Sequence, residues 1–253
     1  MRAYLMITHS VTDRLLGLRR SIGLFLLTGS IAPILLVLAP GRSDEQVAAS
    51  YNDITVGLGM SILFPVAALI VSTAALGEER KAHTLPFLLL KPVPRWVIAL
   101  AVVTAAALAS FLVLEVGVLA SWIVAGAVTG EWSIGTATTV AVAVQSVASA
   151  ALFVPLGLVL GRAALVGLGY LMIWELILGD VIEGIQASAV QRIVISAWAD
   201  LAKLTPDNLD TVNEVLGRVE PGVGGAFAKA AALAIISITV TGFLLRRRDL
   251  VPE

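Results

Sequence analysis

Apolar positions in this chain are gathered into runs of roughly 20 residues or more, the length that crosses a bilayer as a helix. The runs fall at about Ser21–Ala39, Ile54–Gly77, Val97–Val128, Ile134–Gly161, Ala163–Ile182 and Ala226–Leu245. In hydrocarbon every backbone N–H and C=O has to be satisfied within the spanning structure, and runs of this length satisfy them as helices. The pattern predicts an all-α fold, a polytopic membrane bundle of six transmembrane helices forming one transmembrane domain over residues 1–253. The third and fourth runs exceed what a bilayer needs, which predicts tilt or protruding ends.

The polar segments between the runs carry patterns of their own. In residues 1–20, Tyr4, Val11, Leu15 and Leu18 recur at helical spacing, with Arg2, Asp13 and Arg20 elsewhere on the wheel. That predicts an amphipathic helix lying in the inner interface; a solvated tail is the other reading. A cleavable signal has an apolar core of about 7–15 residues; the first run here is longer and about 20 residues precede it, so it is expected to stay. In the segment 184–225, Val190, Ile193, Val194, Ala197, Trp198 and Leu201 share a face, with Gln191, Asp200 and Lys203 off it. This predicts outer amphipathic helices between spans five and six, lying either in the outer interface or as a lid on the bundle.

Composition agrees with the pattern: 58% of residues are hydrophobic, 14% are charged and the mean hydropathy is +0.95. Lys and Arg in the loops set the orientation. With the N-terminus inside, the cytoplasmic side holds Arg2, Arg14, Arg19, Arg20, Arg80, Lys81, Lys91, Arg95, Arg162, Arg246, Arg247 and Arg248, and the other side Arg42, Arg192, Lys203, Arg218 and Lys229. Both termini are therefore expected in the cytoplasm, which six spans also require. Trp96 falls at the inner interface and Trp122, Trp132 and Trp198 near the outer one, as in an aromatic belt. The net charge of −1 and the lack of any basic run longer than three residues give no footprint for nucleic acid.

Catalytic constellations are missing. The sequence has no cysteine and two isolated histidines, His9 and His83, too few for a metal cage. None of the lysines Lys81, Lys91, Lys203 and Lys229 follows a glycine, so there is no phosphate-binding G-x-x-x-x-G-K-[ST] loop. Neither H-E-x-x-H nor G-x-S-x-G occurs. An EExxxR endopeptidase motif starting at Glu78 needs arginine where His83 stands. No catalysis, cofactor or bound metal is expected.

The most informative segment lies between the second and third runs. Residues 78–95, EERKAHTLPFLLLKPVPR, form a short apolar patch bracketed by charge. Leu85, Leu88 and Leu89 at i, i+3 and i+4 make one apolar helical face, and Pro92 and Pro94 stop the helix before the third span. Such a loop either docks a cytosolic partner or sinks its leucines into the lipid interface. The pattern Glu79-Arg80-x-x-His83-Thr84-Leu85-x-x-Leu88-Leu89-x-x-Pro92-Val93-Pro94-Arg95 resembles the signature of ABC-2 type transporter permeases, E-R-x-x-G-T-L-x-x-L-L-x-x-P-V-S-R, departing from it at His83 and Pro94. The six-run layout, the N-terminal helix, the long outer segment and the ending FLLRRRDL are also similar to that family. The resemblance implies the membrane-spanning subunit of an ATP-driven exporter in a bacterial-type plasma membrane. It implies a second permease copy or paralogue, two separate ATPase subunits and contact with membrane lipid. It also implies that 78–95 is a cytoplasmic coupling helix, with Glu79, Arg80, Thr84, Leu85, Leu88, Leu89, Pro92 and Arg95 at the ATPase contact.

Three polar residues deep inside the runs stand out as candidates for a path or gate. Glu175 sits near the middle of the fifth, Glu115 in the outer half of the third and Gln145 in the fourth. A charge at the bilayer centre costs about 2.5–3.5 kcal/mol on the more lenient scale, so each carboxylate is expected to face protein or water or to be protonated. They line a substrate path or gate, or they hydrogen-bond between helices, with Gln145 and Ser146 as partners at matching depth. An ion-coupled secondary transporter using Glu115 and Glu175, and a non-transporting scaffold or immunity-type protein, are the competing functions. Pro33, Pro65 and Pro155 lie inside runs, and small residues crowd the fourth run and the start of the fifth, which favours close helix approach.

Overall fold

The computed structural model describes residues 2–82, 93–130, 132, 134–178, 189–202 and 221–247. Every regular element among them is helical. In chain order they are α1 (Arg2–Leu15), α2 (Leu18–Thr28), α3 (Ile31–Leu38), α4 (Asp44–Ile54), α5 (Phe64–Lys81), α6 (Arg95–Thr129), α7 (Ile134–Val159), α8 (Ala163–Tyr170), α9 (Val190–Ala199) and α10 (Gly222–Arg247). Two π-helical stretches join them, Thr55–Leu63 between α4 and α5, and Leu171–Leu178 after α8.

Five helices among the described residues are long and apolar enough to cross a membrane: Leu18–Leu38, Asp44–Arg80, Arg95–Thr129, Gly135–Val159 and Gly222–Arg246. The expected fifth run is the shorter apolar helix Ala163–Glu175, and its far end, 179–182, lies outside the described residues. Helices α5, α6 and α7 form the centre, with α10 against α6 and α7, and α1 to α4 against α6. The core is built from small and branched residues, among them Ala67 and Val71 on α5, Ala101, Val102 and Val103 on α6, and Ala141 and Val144 on α7. Close approach rests on glycine where α5 crosses α7: a Cβ on Gly157 would run into the Thr73 carbonyl oxygen. Backbones come this near only over a residue without a side chain.

The spans differ from the hydropathy pattern at their ends. The second begins at Asp44, ten residues before Ile54, because the polar stretch 44–54 is itself helical. Ser43 starts it with a capping box: its hydroxyl accepts from the Gln46 N–H, and the Gln46 side chain accepts from the Ser43 N–H at 3.1 Å. The helix then widens over Thr55–Leu63, where the Phe64 N–H reaches the Gly59 carbonyl five residues back. Pro65 follows at once and has no N–H to give the Ser61 carbonyl, so the α-helical ladder is already interrupted there. The first span is divided at Gly29 and Ser30 into α2 and α3.

Two further expectations are corrected. Helix α1 exists, but it buries Ile7, Thr8, Val11 and Leu15 and packs along α6, while Leu18 belongs to α2 and is exposed. Trp198 is not part of an interfacial belt: it is 1% exposed. It lies on α9, which buries eight of its ten residues, Arg192 included, against α7, α10 and the first π-helical stretch. Of the two placements expected for this helix, the described part takes the one packed on the bundle.

Candidate functional site

The last turn of α5 sends three consecutive charged residues to three different elements. Successive residues of an α-helix point about 100° apart, so Glu78, Glu79 and Arg80 diverge. Glu78 pairs with Arg20 of α2, and Glu79 pairs with Arg14 of α1. Arg14 also donates from Nη2 to the Ala75 carbonyl at 2.9 Å. Arg80 donates from Nη1 to the Val159 carbonyl, 2.6 Å away, at the C-terminal end of α7. A cation there satisfies a carbonyl that has no intrahelical partner and meets the negative end of the helix dipole. Burial lowers the Arg14 pKa from its ordinary value; the facing carboxylate offsets the cost of desolvating that cation.

Glu79 and Arg80 thus bind α1 and α7 within the chain. Arg95 opens α6 directly after Pro94, whose carbonyl accepts the Val97 N–H at 2.9 Å. Thr84, Leu85, Leu88, Leu89 and Pro92 lie outside the described residues. Sequence reasoning does not single out the ion-pair partners Arg14 and Arg20 as site residues. The signal it does carry is a basic side chain on the same expected face of the membrane as the acidic pair.

The second polar centre is inside the bundle. Glu175, on the second π-helical stretch, is buried. Its Oε1 accepts from the Tyr170 hydroxyl and the Val190 N–H, both at 3.0 Å, and its Oε2 accepts from the Gln191 N–H at 2.9 Å. Val190 and Gln191 are the first two residues of α9, and Ala189 before them provides no side-chain cap. Glu175 therefore caps a helix to which it does not belong, placing a carboxylate where two orphan N–H groups and the positive end of the dipole favour it. Tyr170 stacks on Trp174 and meets Phe153 edge-on, which holds its hydroxyl toward the carboxylate.

Gln145 lines the same small cavity as Glu175, together with Ser61, Ser149, Tyr170 and Gln191. Its Nε2 donates to Ser149 at 2.8 Å, and the Gln191 side chain donates to Ser61 at 2.7 Å. Ser146 donates to the Val142 carbonyl of its own helix at 2.8 Å. Glu115 stands apart from this group. Thr139 of α7 donates to its Oε1 at 2.8 Å, while Oε2 is buried without a hydrogen-bond partner among the described residues. The structure thus brings two of the three intramembrane polar residues together. Among the described residues no group of three or more His, Cys, Asp or Glu converges to hold a metal ion.

Comparison with known families shows a match: the family model described as ABC-2 family transporter protein aligns with residues 15–174, more than half of the chain. No curated protein matches the chain. The matched stretch runs from the end of α1 to the residue before Glu175, and so takes in the ion-paired end of α5, the segment after it and Glu115.

Proposed function

This chain belongs to the ABC-2 family of transporter membrane proteins, and we propose that it is the membrane-spanning subunit of an ATP-driven exporter. In this reading two permease chains, identical or paralogous, form the translocation path between them. Two separate ATPase subunits dock on the segment 78–95, on the cytoplasmic side of a bacterial-type plasma membrane, where both termini also lie. Leu85, Leu88 and Leu89 supply the apolar face that enters a groove on the ATPase. Glu79, Arg80 and Arg95 fix the segment at its two ends, and Thr84 and Pro92 bound it. Hydrolysis belongs to the partner, since this sequence has no phosphate-binding loop.

The observation that carries this reading is the anchoring of Glu78, Glu79 and Arg80. A segment that starts on these three residues is tied to α2, α1 and α7 at once. Force applied to it by an ATPase reaches three elements directly, rather than only the helix it extends. A solvated loop would not need such an attachment.

The test is co-purification of the ATPase with the tagged permease, comparing the unaltered chain with a Leu85→Asp/Leu88→Asp variant. Burying two unpaired carboxylates at the contact costs several kcal/mol. The expected result is loss of the ATPase from a variant that still inserts normally. Retention of the ATPase by that variant, or absence of any ATPase from the unaltered complex, overturns the assignment.

A further inference from the structure

The cap that Glu175 places on α9 has a counterpart at the other end of that helix. Gly222 and Val223 are the first two residues of α10. The Gly222 N–H donates to Ser196 Oγ at 3.0 Å, and the Val223 N–H donates to Asp200 Oδ2 at 2.9 Å. Ser196 and Asp200 are the last turn and C-cap of α9. At both joints the first two N–H groups of one helix are therefore satisfied by side chains of another element. Gly222 has φ +64°, and a Cβ there would stand 3.1 Å from Asp200 Oδ2. The second joint needs glycine for its backbone conformation and gains clearance from it.

We propose that α9 is a strut that makes the helix carrying Glu175 and the last span move as one body. Glu175 is its pin to α8 and the π-helical stretch, and Ser196 with Asp200 is its pin to α10. Between the pins α9 is rigid, because eight of its ten residues are buried and Gln191 is also held by Ser61. Each pin sets an acceptor against a helix N-terminus, where orphan donors and the dipole act together. A rotation of α8 is thereby delivered to α10 through hydrogen bonds of fixed direction. Glu175 is on this account a positioning residue, with its carboxylate used in a structural joint rather than offered to a substrate.

The chain has no cysteine, so single introduced cysteines report cleanly. The experiment uses the full-length protein in lipid nanodiscs and follows N-ethylmaleimide labelling at three buried positions. Ala197→Cys reports α9, Ala226→Cys the start of α10, and Ala106→Cys the centre of α6; all three alanines are fully buried. Labelling of a buried thiol tracks the population of the locally open form. With Glu175→Gln, which keeps one oxygen acceptor and loses the second, labelling at both 197 and 226 is expected to rise about tenfold, with 106 unchanged. With Asp200→Ala, which removes the acceptor of the Val223 N–H at an exposed residue, labelling at 226 is expected to rise about threefold or more with 106 unchanged.

A rise at 197 without one at 226 in Glu175→Gln would show a local cap and overturn the strut. So would no change at either position, or a rise at all three together, which would make Glu175 a support of the whole bundle. No change at 226 in Asp200→Ala removes the second pin and overturns the proposal from the other end.

Discussion

Glu79, in the last turn of α5, forms an ion pair with Arg14, which lies 65 residues earlier on α1. The contact is more buried on the carboxylate than on the guanidinium, with side-chain exposures of 15% and 34%. Its strength falls between two limits: exposed pairs contribute about 0–1 kcal/mol, and breaking a buried pair costs about 3–5 kcal/mol. Arg14→Ala and Glu79→Ala are each expected to destabilise the chain by about 1–3 kcal/mol. The double variant is expected to lose less than the sum of the two. Thermal unfolding of the four proteins in one detergent gives the cycle; strict additivity would remove the pair as an energetic link. On the function proposed above, the two single variants should also impair transport alike, because both release α1 from the end of α5.

Two glycines in helices predict opposite signs for the same substitution. At Gly157 a Cβ would run into the Thr73 backbone oxygen, and a carbonyl on the facing helix cannot rotate away. Gly157→Ala is expected to push α5 and α7 apart, at a cost of about 1–3 kcal/mol. At Gly169, on α8, a Cβ meets nothing within 4 Å. Gly169→Ala removes backbone freedom from a helical position and is expected to stabilise by up to about 1 kcal/mol. Melting temperatures in a common detergent decide it: a fall for the first with no fall for the second supports close approach at Gly157. Equal shifts for the two would contradict it.

The long apolar helices are legible in the sequence because length and hydropathy alone mark them, and α6 and α7 match their runs to within two residues at each end. The start of the second span is less legible. The stretch 44–54 reads as a polar loop by hydropathy, yet its Ser43–Gln46 spacing is that of a capping box and marks a helix start. Glu175 is recognisable as costly to bury, but its partners include backbone N–H groups 15 and 16 residues further on. Backbone donors have no sequence signature, so a search among side chains at the same depth turns to Gln145 and Ser146. The Arg14–Glu79 pair is hidden for another reason, since helical periodicity relates neighbours on one helix and says nothing of which helices meet.

The capping box carries its own prediction. Ser43→Ala removes the acceptor for the Gln46 N–H and leaves only the reciprocal bond, from the backbone N–H of residue 43 to the Gln46 side chain. Loss of an N-cap of this kind costs about 1 kcal/mol. Because α4 begins on exposed residues, the cost is expected as fraying of its first turn rather than as global unfolding. Hydrogen exchange should show faster exchange at Gln46 and Val47, with the amides of α5 unchanged. Unchanged protection at 46 and 47 would show that packing of α4 on α6, not the cap, fixes the start of the span.

Glu115 offers the sharpest separation of a structural carboxylate from a transport residue. One of its oxygens accepts from Thr139, and the other is buried without a partner among the described residues. Glu115→Gln keeps an oxygen for Thr139 and replaces the second charged oxygen by a neutral amide group. A charge held in a bilayer without full pairing is expensive, whereas an unsatisfied neutral group costs about 1–3 kcal/mol. The variant is therefore expected to be at least as stable as the unaltered chain. Glu115→Leu, which abandons the Thr139 hydroxyl, is expected to be less stable than Glu115→Gln by about 1 kcal/mol. Transport into vesicles should survive Glu115→Gln if the residue joins α6 to α7. Loss of transport by a Gln variant of full stability would place the carboxylate in the translocation path instead.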